Sequence, residues 1–141
     1  MSEHVKSYLR WLLGAEGAPK YNAEEYDLKT LTAAGISLFT AALDRYFPEE
    51  VPTPAEAAAL VTKVRSMSAQ PETLNPVLAE QVILNAYADD DLMADVPAVE
   101  VARVENILAY GIRRELSIKD GPELEAFLDE VIEIMNDPAN T

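Results

Sequence analysis

Apolar side chains along this chain return every three or four positions, and the runs they form are closed by proline, glycine and capping residues rather than by strand turns. Val5, Tyr8, Leu9 and Leu12 keep that spacing at the amino end, with Ser2 placed to open a helix and Gly14 to end it. Gly14 to Pro19 then reads as a loop. Asn22 with Glu25 forms a capping-box pattern ahead of a long helix whose Leu28, Leu31, Gly35, Leu38, Phe39, Ala42 and Tyr46 share one face, and Pro48 stops it. Thr53-Pro54-Ala55-Glu56 is the sharpest start signal in the chain: a capping hydroxyl, a proline at the first helical position, and a glutamate three residues after the cap. The helix it opens turns Ala57, Leu60, Val61, Val64 and Met67 inward.

Asn75-Pro76 repeats the cap-then-proline pattern and predicts a helix to about Ala88. Val77, Leu78, Val82, Ile83, Leu84, Ala86 and Tyr87 cover most of its circumference, leaving Gln81 and Asn85 on one narrow strip. A helix that is apolar nearly all round belongs in the interior. Asp95-Val96-Pro97 opens a fifth helix through about Leu116, and Asp120 with Pro122 a sixth, with Leu124, Phe127, Leu128, Val131 and Met135 inward and Asp137-Pro138 as its end. No alternating segment of strand length stands out. The pattern predicts an all-α fold, residues 1–141 forming a single compact bundle of about six helices around a buried central helix at about residues 76–88. Gly35 and Gly111, both in mid-helix on apolar faces, suggest that the second and fifth helices cross where they meet.

Composition changes this picture mainly through charge. The 141 residues carry a formal charge of −14, with 9 acidic and 7 basic side chains in residues 1–70 but 16 and 4 in residues 71–141. A polyanionic surface repels nucleic acid and anionic lipid and favours basic partners, so no direct nucleic-acid or membrane contact is expected. The absence of cysteine excludes disulfides, thiolate nucleophiles and cysteine-ligated metal. No apolar run approaches the length of a membrane span and the amino end lacks a signal-peptide pattern, which reads as a soluble, cytoplasmic chain.

The chemistry is narrowed by what is missing. The 5 glycines form no phosphate-binding loop, and the single histidine, His4, lies outside any Glu-x-x-His or Gly-x-Ser-x-Gly motif. Asp89-Asp90-Asp91 could offer oxygen ligands to a divalent cation, but the run lacks an EF-hand's glycine and distal glutamate and reads as turn residues. No catalytic residue, metal site or cofactor is therefore assigned. Tyr110, Arg113 and Arg114 on the fifth helix combine residue types that anchor interfaces, and Glu125, Asp129 and Glu133 lie on the acidic outer face of the last helix. Glu100 and Glu115 sit beside the apolar stripe, where a covered carboxylate needs a cation such as Arg45.

The leading expectation is a non-enzymatic interaction or regulatory module, an adaptor, inhibitor or mimic of nucleic-acid charge, that presents acid to a basic protein surface. The alternatives are a small-ligand-binding bundle using Gln81 and Asn85, with Tyr87 beside them, and a metal-dependent enzyme drawing carboxylates from several helices.

Overall fold

In a computed structural model, which describes residues 2–15, 28–49, 51–88 and 93–137, the chain is all-helical. Its helices are α1 (Ser2–Leu12), α2 (Leu28–Tyr46), α3 (Pro54–Met67), α4 (Pro76–Asn85), α5 (Ala98–Glu115) and α6 (Pro122–Asn136), with one short 3-10 turn at Pro71–Thr73. The Asn22–Glu25 box, most of the loop after Gly14 and the three aspartates from Asp89 lie outside the described residues.

Two local start signals hold in full. Thr53 Oγ1 accepts from the Glu56 N–H at 3.1 Å while Glu56 Oε1 accepts from the Thr53 N–H at 3.0 Å, so two otherwise orphaned donors are satisfied reciprocally. Asn75 Oδ1 accepts from the N–H groups of Val77 and Leu78 at 3.0 and 3.1 Å. The last two helices start differently. α5 follows Pro97 and α6 follows Gly121, at φ 103°, and neither has a side-chain cap. Asp120 instead accepts from Arg113, and Glu123 reaches back to the Lys119 N–H at 3.3 Å.

The central place belongs to α2 rather than to residues 76–88. α2 packs against α1, α5 and α6, and α5 in turn touches α3 and α4. Ala34, Ser37, Leu38, Phe39, Ala41, Ala42 and Leu43 of α2 are all buried, and the small side chains among them let neighbours approach from several sides. α4 buries Ala79, Val82 and Ile83 against α3 and α5 but leaves Val77 64% exposed. It also ends at Asn85, so that Ala86 and Tyr87, which complete the apolar girdle on paper, lie in the following turn.

The two mid-helix glycines face different neighbours. α2 and α5 do pack together, and a Cβ on Gly35 would come to 3.6 Å from Asn106 Oδ1 across their seam. Gly111 faces α3: a Cβ there would lie 2.7 Å from both γ-methyls of Val64, closer than carbon atoms tolerate. Gly111 therefore lets α3 and α5 touch, and the expected Gly35–Gly111 crossing does not form.

Candidate functional site

The seam between α2 and α5 opens at one end into a groove. Two helical stripes form its long walls: Leu31, Thr32, Gly35, Ile36, Phe39 and Thr40 from α2, and Ala98, Val101, Ala102, Glu105 and Asn106 from α5. Both sets step by three and four residues, so each is one face of its helix. Tyr8 of α1, the end of α4 at Asn85 and Ala86, and the turn carrying Met93, Ala94 and Val96 complete the lining. The small residues Gly35, Ala98 and Ala102 leave the space that larger side chains fill elsewhere along the seam, and the cavity volume is about 740 Å³.

Most of the wall is apolar. Glu105 is the exception: a half-buried carboxyl on α5, in helical register with Val101, Leu108 and Ile112. Burial raises its pKa from the ordinary carboxyl value of 4.5 to about 7. Among the described residues no hydrogen bond or ion pair to Glu105 occurs, and no lysine, arginine or histidine appears in the groove lining. The same lining also carries the hydroxyls of Thr32 and Thr40 and the amides of Asn85 and Asn106. Thr40 donates to the Ile36 carbonyl at 3.0 Å, which leaves its oxygen able to accept. Tyr8 stacks on Trp11 at a centroid distance of 6.3 Å, and Trp11 stays 43% exposed.

Of Gln81, Asn85 and Tyr87, which the sequence offers for a ligand pocket, only Asn85 lines this groove. Gln81 is exposed on α4 outside it, and Tyr87 lies elsewhere, its hydroxyl buried without a hydrogen-bond partner among the described residues. Burial, and secondarily the charge of Asp44, pushes the Tyr87 pKa up.

The residues expected to meet a partner are largely engaged within the chain. Arg113 donates to the Ile118 carbonyl and the Leu13 carbonyl, both at 2.9 Å, and to Asp120 at 2.6 Å, with only 11% of its side chain exposed. It binds the end of α1 to the connection between α5 and α6. The Tyr110 ring covers Gly14, where a Cβ would fall 2.8 Å from Cε2 and where φ is +67°, so glycine is required twice over. Arg114 donates to the Met67 carbonyl at 3.2 Å, closing the end of α3.

On α6, Glu125 pairs with Arg10 of α1, and its Oε2 is buried without a hydrogen-bond partner among the described residues. Asp129 pairs with Lys6 at 2.6 Å, while Glu133 is exposed. Arg45 is committed to Glu130, with two bonds of 2.9 Å, and lies 5.0 Å from the centre of the Phe127 ring. Glu100 and Glu115 find other cations, Arg103 at 3.1 Å and Lys63 at 2.7 Å.

Glu105 was the residue that helix reading missed, although the signal was there: it lies four positions after Val101 and three before Leu108, within the apolar stripe. Centring the polar face on Tyr110, Arg113 and Arg114 hid it. Among the described residues no three histidine, aspartate or glutamate side chains gather as a metal site, and no helix is long and apolar enough to cross a membrane. Comparison of the chain with protein-family models, with curated proteins and with solved structures finds no match in any of the three.

Proposed function

We propose that the chain binds a small organic molecule in the groove between α2 and α5. The observation that carries this reading is the groove itself. Its volume of about 740 Å³ falls in the range typical of small-molecule sites, and its apolar walls converge on a few polar groups, one of them a carboxyl with a strongly perturbed pKa. A partnerless, desolvated carboxyl beside small residues is costly to the fold, which is the expected mark of a site kept for binding.

Binding draws more support than catalysis, because the groove offers Glu105 no nucleophile or second acid within the described lining beyond threonine and tyrosine hydroxyls. The acidic-surface reading draws less support than the groove, since Glu125, Asp129 and Glu130 on α6 already hold cations of α1 and α2.

Thermal denaturation against a metabolite set tests the proposal. A ligand at a hundred times its Kd stabilises by about 2.7 kcal/mol and raises Tm by several degrees. The shift should vanish in Ala102→Trp, where an exposed alanine of the groove wall is replaced by a ring that fills the space. Shifts that persist in Ala102→Trp, or a chain that responds to nothing in the set, would overturn it.

A further inference from the structure

Resting on the groove as a ligand site, we propose that its ligand is an organic cation, an amine on an apolar body, whose charge is met by the Glu105 carboxylate.

Three features of the site converge on that class. Glu105 is the one charged residue in the described lining, it faces a cavity rather than a protein cation, and the walls around it are mostly apolar. A ligand carboxylate or phosphate would find no basic side chain in that lining and would face a like charge at close range. A fully apolar ligand would leave the carboxyl desolvated and still without a partner. An ammonium group supplies what the fold withholds: a counter-charge and donors for Glu105, with the side-chain oxygens of Thr40 and Asn106 in the same lining able to accept further N–H groups. The Tyr8 and Phe39 rings add faces on which a cation or an apolar body can rest. The net charge of −14 draws cations toward the protein from a distance.

The charge match also fixes how binding responds to pH. With a free-state pKa of about 7, Glu105 is one-tenth ionised at pH 6 and nine-tenths ionised at pH 8. A ligand that stays cationic over this range selects the ionised form, so its affinity should rise about tenfold from pH 6 to pH 8. Among the described lining residues the only titratable group from α1 is Tyr8, and α2, the end of α4 and the turn at 93–96 place none there.

The test is calorimetric titration with aryl and cycloalkyl primary amines, each alongside its alcohol and its carboxylate on the same carbon skeleton. The expected result is a preference for the amine of at least tenfold at pH 8, shrinking toward pH 6. Glu105→Gln should abolish both the preference and its pH dependence while keeping the alcohol's affinity. Alcohols or carboxylates that bind as well as the amines would overturn the cation proposal and leave the ligand-binding groove standing. Failure of every member of all three series to bind would overturn both. An amine preference that survives in Glu105→Gln, in a variant whose circular dichroism and alcohol affinity match the parent, would place the cation elsewhere and overturn the assignment to Glu105.

Discussion

Glu105 and Arg113 stand two turns apart on α5, both charged and both partly covered, and the fold treats them in opposite ways. Arg113 is met by three acceptors, one at the end of α1 and two in the connection between α5 and α6. Glu105 is desolvated and receives no hydrogen bond among the described residues. The consequence can be measured in the free protein. Its native pKa of about 7 stands above the ordinary 4.5, so between those values the folded chain holds a proton that the unfolded chain has lost. Stability therefore falls as pH rises through that window, and the penalty is complete above it. Glu105→Gln should match the parent near pH 3.5, below the unfolded value, where the Glu105 carboxyl is protonated in the folded and unfolded chain alike, and exceed it by about 2 kcal/mol at pH 8, less whatever desolvation water in the groove relieves. Urea unfolding at the two pH values checks this. Equal stability at pH 8 would mean that the carboxyl is solvated and the groove more open than described.

At the scale of elements, the two inward glycines should respond to the same substitution with opposite sign. Alanine at Gly111 gains helix propensity of about 1 kcal/mol but drives a methyl into both γ-carbons of Val64, a β-branched side chain with little freedom to yield, so a net loss of about 1 to 2 kcal/mol is expected. Alanine at Gly35 meets Asn106 at an ordinary 3.6 Å and should be neutral or stabilising. Thermal unfolding of both variants decides it, and equal effects would remove the close α3–α5 contact from the account. The pair also marks the boundary of what sequence could deliver. Helix starts at Thr53 and Asn75 are local agreements between neighbouring residues, and they are legible because nothing distant enters them. The partner of a glycine, the depth of α4 and the exposure of Val77 depend on which helices converge, and periodicity reports only that a face is apolar. Glu105 lay between the two cases. Its register within the apolar stripe was readable, but that it faces a cavity rather than a cation of a neighbouring helix was not.

For the molecule as a whole, the charge imbalance along the chain is partly resolved by folding. Lys6, Arg10, Arg45 and Lys63, all from the nearly balanced first half, pair with Asp129, Glu125, Glu130 and Glu115 of the acidic second half. The two halves are thus electrostatic complements, and α1 is held to α6 by two such pairs. Those two and the Arg45–Glu130 pair are partly exposed, worth about 0.2 to 1 kcal/mol each, and all four weaken in salt. Opposing them is the repulsion among the remaining carboxylates, which a formal charge of −14 leaves far in excess and which salt screens over a Debye length of about 10 Å at 0.1 M. Because the excess acid acts across the whole surface while these pairs are local, repulsion outweighs them, and Tm should rise as sodium chloride is raised from low concentration to about 0.5 M. Neutralising Lys6 and Arg10 together, as glutamines, should make that rise steeper, since the same substitution removes attraction and adds to the net negative charge. A Tm that falls with salt in the parent would show instead that the pairs joining the two halves dominate the surface electrostatics, and that α1 is fastened chiefly by charge.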